Sequence, residues 1–273
     1  MNIIIMLAVA AFGLSLLWVV QSVALRLAGE PLALPLRFST RKPLVRWTSR
    51  VMIQIQWLII LICTPLALGI DPLEALHKAF PTPVPWRDVA VAFSIMIFVP
   101  WFTYGLMLKL GWTRVEPQHE LRIRRGKLLR RFLGPLPLAT LEEAVFRGTL
   151  LEQLLQSLPQ SKSGVTVAIV LSAAVFAAIH FVKLSPPHKP VWQPAFGLFS
   201  VGCLLGLAYV IGGRSLWLPI AMHAAAIFFT EVTRLYFVHQ APPWLVGYTE
   251  YPQSGLIGTI FILCAGIALV ALI

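Results

Sequence analysis

Of the 273 residues, 58% are hydrophobic and 12% charged, with a mean hydropathy of +0.80; soluble domains hold about 45–50% apolar and about 25% charged residues. That balance excludes an ordinary soluble enzyme, and the length allows one helical bundle without a separate soluble domain. The net charge of +11 does not indicate nucleic acid, because the basic residues gather in two loops between apolar runs, as membrane topology and anionic lipid favour.

Eight apolar segments follow one another, at 3–25, 51–70, 89–110, 137–157, 164–182, 193–212, 216–237 and 254–273. Each is near the ~20 residues that cross a ~30 Å hydrocarbon core. None alternates like a strand, and a lone helix satisfies its own backbone in lipid. The expected fold is all-α, a polytopic membrane bundle of about eight transmembrane helices. The first segment has no basic residues ahead of it and outlasts a signal h-region, so a retained span is expected. Its loop carries Arg26, Arg37, Arg41, Lys42, Arg46 and Arg50 against Glu30.

The second loop holds Asp71, Glu74 and Asp88 against Lys78 and Arg87. The third is again basic, with Lys109, Arg114, Arg122, Arg124, Arg125, Lys127, Arg130 and Arg131 against Glu116 and Glu120. Basic loops stay cytoplasmic, so both termini are expected outside. The Arg122–Arg131 stretch either lies on anionic headgroups or is a solvated retention signal. Cys63, Cys203 and Cys264 fall within apolar segments without ligand spacing and read as small core residues.

The fourth segment opens after Pro135 and Pro137 and holds Glu142, Glu143 and Arg147. Charged groups in hydrocarbon cost roughly 2.5–3.5 kcal/mol each on insertion scales, so those retained there are candidates for function. Glu143 and Arg147 are four apart and can pair on one helical face, while Glu142 lies about 100° around. Such an arrangement splits two carboxylates into different roles, one held ionised and one available as a general base for water. Phe176 and His180, also four apart in the fifth segment, can pack ring against ring, and His223 stands alone in the seventh.

Each feature has a plainer alternative. The glutamates could be a salt-bridged helix start near the headgroups, and either histidine a satisfied bundle residue. Glu231 and Arg234 read as a local ion pair. Glu152, His77, His119, His188 and His239 read as span-end or loop residues without chemistry.

Taken together, Glu-Glu-x-x-x-Arg at Glu142, Glu143 and Arg147, Phe-x-x-x-His at Phe176 and His180, and Leu216-Trp217 ahead of His223 resemble the CAAX prenyl protease 2 family, the CPBP (ABI) intramembrane proteases. The resemblance covers residues 138–230. It implies three regions: N-terminal helices and basic cytoplasmic loops over 1–135, a protease-like core over 136–240, and a C-terminal helix over 241–273. Its third motif normally carries Asn, sometimes Asp, four residues after the histidine, where this chain has Ile227.

The resemblance implies an endopeptidase that cuts a membrane-attached protein or peptide within the bilayer, in a multi-pass membrane protein (of the inner membrane if bacterial) with its site toward the cytoplasm. In the family's best-known members the substrate is a prenylated carboxyl-terminal tail. Glu142 would activate water with help from His180, Glu143 with Arg147 would hold the field around it, and His223 would donate to the oxyanion. Phe176 and Trp217 would line the substrate pocket. No cofactor is expected; zinc on the two histidines and a glutamate is the alternative, disfavoured by Arg147 and by the lack of His-Glu-x-x-His. A scaffold or immunity-type protein of the same fold is a further reading, because of Ile227. A transporter is weaker, since no inverted repeat is visible. One tension stands: His223 falls about 10 Å into a span entering from outside, whereas Glu142 and His180 lie near cytoplasmic ends.

Overall fold

The computed structural model describes residues 2–30, 43–116, 133–182, 192–248 and 252–273. Helices α1 (Asn2–Leu27) and α2 (Pro43–Ala67) are followed by the short α3 (Pro72–Ala79) and by α4 (Trp86–Lys109). Next, α5 (Pro135–Glu143) runs without a break through a π-helical segment (Ala144–Leu151) into α6 (Glu152–Ser157). The remaining helices are α7 (Lys162–Val182), α8 (Trp192–Ile211), α9 (Trp217–Tyr236), the single turn α10 (Pro243–Val246) and α11 (Leu256–Leu272). All eight apolar segments are thus helical within the described residues.

The expectation of eight crossings is met only in part. Among the described residues four helices, α1, α4, α7 and α8, are long and apolar enough to span a bilayer, and the α2–α3 pair, bent by 111°, makes a fifth if counted as one span. The others depart from that pattern: α5–α6 carries Glu142, Glu143, Arg147 and Glu152, α9 carries His223, Glu231 and Arg234, and α11 has 17 residues. The large apolar side chains on the outer surface, among them Phe98 at 69% and Phe102 at 78% exposure, need a lipid solvent, since water-soluble monomers seldom show such patches. This is an integral membrane protein. Cys63 and Cys264 share that outer surface and Cys203 is half-buried, which corrects the reading of all three as core residues. Most of the basic residues used to orient the bundle, together with His119 and His188, lie outside the described residues.

Helix α9 stands at the centre, packed against α4, α5 and α8. Around the π segment, Trp57, Phe146, Leu151, Phe176 and Leu216 form one apolar core; Met96, Leu205, Met222 and Leu269 form another between α4, α8, α9 and α11. Strand β1 (Thr113–Val115) pairs antiparallel with β2 (Phe237–His239) and ties the end of α4 to the end of α9. The apolar periodicity gives no hint of this pairing, because both strands lie in short connections.

The start of α9 is set by a partner far away in sequence. Asp71 caps α3, accepting from the Leu73 amide at 3.0 Å, and Pro72 opens the helix. The sharp turn brings the end of α3 back onto α9, where the Leu216 amide donates to Ala79 O at 2.9 Å and the Trp217 indole to Pro81 O at 3.0 Å. Leu216 packs against Gly148, its Cδ1 only 3.4 Å from where a Cβ on that glycine would sit. Helix α9 therefore begins level with the π segment, well short of the far end of α6.

Close approach also fixes the other side of the core. A Cβ on Gly197 would fall 2.7 Å from Gln253 O, so α8 and the 252–254 turn touch backbone to backbone. Gly197→Val is expected to lower stability by at least the ~1–3 kcal/mol typical of overpacking, read as a fall in thermal unfolding temperature of the lipid-reconstituted protein.

Candidate active site

The π segment shapes the site. Its wider i→i+5 bonding leaves carbonyls for side chains to take up. Thr149 Oγ1 donates to Ala144 O, five residues back, at 3.2 Å, and Ser172 Oγ of α7 donates to Phe146 O at 3.1 Å. π-Bulges frequently occur at functional sites, and this one begins immediately after the two glutamates.

Glu143 and Arg147 are both fully buried and paired, with Nη1 donating to Oε1 at 2.9 Å. The guanidinium is held from two further directions: Nη2 donates to Gly202 O at 3.0 Å, and the Phe176 ring lies 4.7 Å from its central carbon. The i, i+4 pairing expected from the sequence is present. A second partner of Glu143 was not anticipated. His223 Nδ1 lies 2.6 Å from the same Oε1, and its Nε2 lies 3.8 Å from Glu142 Oε2. One imidazole thus stands between the two carboxylates.

His180 is held differently. Its Nδ1 is 2.7 Å from Phe176 O, and its ring lies beside that of Phe176, tilted by 58° at 4.6 Å between centroids. Phe176 also meets His223 edge-on at 5.9 Å and Phe146 at 5.1 Å. This ring therefore contacts Arg147 and both histidines while remaining 1% exposed. Packing of this kind limits how far any of the three can move.

Glu142, Phe176, His180 and His223 share one cavity of about 500 Å³. Its walls are largely apolar, from Met96, Leu198 and Phe261 among others, and Ile227, Thr230 and Glu231 continue along α9. Glu231 keeps its expected pairing with Arg234, at 3.3 Å. Glu142 is only 6% exposed, so the surrounding helices enclose it. His223 reaches the glutamates through the position at which α9 starts: from Leu216 beside Gly148, the helix runs antiparallel to α5 and brings His223 to Glu143.

Trp217 stands apart from this cavity. It packs edge-on against Phe80 at 5.1 Å and bonds Pro81 O, so its contacts set the start of α9 and not a pocket wall. Glu152, read from sequence as a residue without chemistry, is buried at the centre of a polar network. It accepts from Tyr209 Oη and Gln156 Nε2, both at 3.0 Å, and lies 3.6 Å from Lys78 and 3.5 Å from Arg214. Its presence in an apolar segment was the available signal; apart from Gln156, four residues on in the same helix, its partners come from α3, α8 and the turn before α9, which spacing does not reveal. Among the described residues, no three His, Cys, Asp or Glu side chains are grouped as ligands for a metal ion.

Residues 125–229 match the family model of type II CAAX prenyl endopeptidases, Rce1-like, the family that the three motifs resemble. Every residue of the cluster, from Glu142 to His223, lies inside that match. No curated protein and no solved structure matches the chain.

Proposed function

We propose that this chain is an intramembrane endopeptidase that hydrolyses a peptide bond of a membrane-attached protein, reached from the cytoplasmic side or laterally between helices. The observation that carries the reading is the meeting of Glu142, His180 and His223 on one cavity, with Glu143 neutralised behind them by Arg147. The family match over residues 125–229 supports it.

In this reading Glu142 takes a proton from a water as its oxygen attacks the scissile carbonyl carbon. The new C–O bond forms while the carbonyl π electrons move onto oxygen. The oxyanion then collapses, the C–N bond breaks, and the proton held by Glu142 passes to the departing nitrogen. His180, with its ring fixed by Phe176, assists Glu142 in moving the proton. Glu143 stays with Arg147 and contributes field and position. The apolar walls suit a substrate segment that itself partitions into lipid.

The test is cleavage of a lipid-anchored peptide by the full chain reconstituted in vesicles. His180→Ala is expected to lower the rate by about 10²–10⁴-fold, the usual range for an acid–base partner; undiminished turnover would remove His180 from the mechanism. Exhaustive chelation is expected to leave the rate unchanged, and a loss restored by zinc would move water activation onto a metal. Ile227 on the cavity wall supports a second reading, a binding protein of this fold without turnover, which a wild-type chain inert toward every anchored peptide would favour.

A further inference from the structure

Resting on the peptidase reading, we propose that His223 orients the attacking water as a hydrogen-bond acceptor, with Glu143 fixing its tautomer, and does not serve as an oxyanion donor. The argument begins with the partners of its ring. Arg147 Nη1 already donates to Glu143 Oε1 at 2.9 Å, so that oxygen accepts and bears no proton. His223 Nδ1, 2.6 Å from the same oxygen, must therefore carry the hydrogen. With the imidazole held neutral, only Nδ1 is protonated and Nε2 is the acceptor.

That Nε2 lies 3.8 Å from Glu142 Oε2. The separation exceeds a direct hydrogen bond and suits two groups that share one water. A water donating one O–H to Glu142 and the other to His223 has its lone pairs turned away from both, toward an incoming carbonyl carbon. Glu142 then removes the first proton, and the second stays on the attacking oxygen, hydrogen-bonded to Nε2, as the tetrahedral centre forms. The bond from Glu143 and the edge-on contact with Phe176 hold the imidazole in that orientation.

A second, independent observation agrees. Ile227, one helical turn beyond His223, lines the cavity with an aliphatic side chain. The residue that would complete a two-donor oxyanion clamp on this face of α9 has no hydrogen to give. The amide that the third motif normally carries is absent here, in keeping with an imidazole that accepts.

The test is nitrogen-15 NMR of the full chain, labelled at histidine and held in lipid vesicles, with His223→Gln used to identify the His223 signals. The expected result is a protonated Nδ1 and a bare Nε2 at the pH of activity. A protonated Nε2 would overturn the proposal. In the cleavage assay Ile227→Asn should change the rate by less than about threefold, whereas a gain approaching the 10²–10³ of an oxyanion donor would restore the clamp and defeat the proposal. The NMR readout needs no substrate, so it can fail while Glu142→Gln still abolishes cleavage. Undiminished cleavage by Glu142→Gln would instead defeat the peptidase mechanism.

Discussion

Glu142→Gln is expected to lower peptide-bond cleavage by about 10²–10⁴-fold while leaving the protein folded. The amide keeps the shape and polarity of the carboxyl group but cannot take a proton from water. Structure gives little reason for the variant to unfold, because Arg147 pairs with Glu143 and the His223 ring is anchored there. Unchanged thermal unfolding, measured beside the cleavage assay, would separate lost chemistry from lost structure. A variant that cleaves at the wild-type rate would show that Glu142 is not the base.

Arg147→Met is expected to destabilise the protein by about 3–5 kcal/mol, the cost of leaving one member of a buried pair uncompensated. Both side chains are fully buried, so water cannot solvate Glu143 once the guanidinium is gone. The same change removes the bond to Gly202 O and the contact with the Phe176 face. Methionine roughly fills the volume, which keeps a cavity term from dominating. Glu143→Gln in the same background should recover part of the loss, because a neutral amide costs less to bury than a carboxylate. Thermal or chemical unfolding of the reconstituted protein measures both. A single-variant loss below about 1 kcal/mol would put the pair in the range of exposed ion pairs and contradict its burial.

These two expectations differ in what they probe. Glu142 lies on the cavity, so its replacement probes the proposed reaction. Arg147 lies behind it and acts on the fold that holds the reacting groups. Adjacent glutamates face different surroundings, one on the cavity and one paired behind it with Arg147.

Composition and apolar runs were enough to establish a helical membrane protein and the positions of its helices, since helix length and bilayer thickness are matched by simple geometry. Interactions within one helix were legible too. Glu143 with Arg147 and Phe176 with His180 are each four residues apart, and the helical period alone puts such side chains together. The arrangement of the remaining site lay beyond that reach. Glu143 and His223 are 80 residues apart, and they meet because the end of α3 fixes where α9 starts, through Ala79 and Pro81. The π segment, the partners of Glu152 and the role of Trp217 arise in the same way, from packing between helices. Local periodicity specifies which face a residue occupies; which helix meets that face, and at what height, is decided by the packed whole.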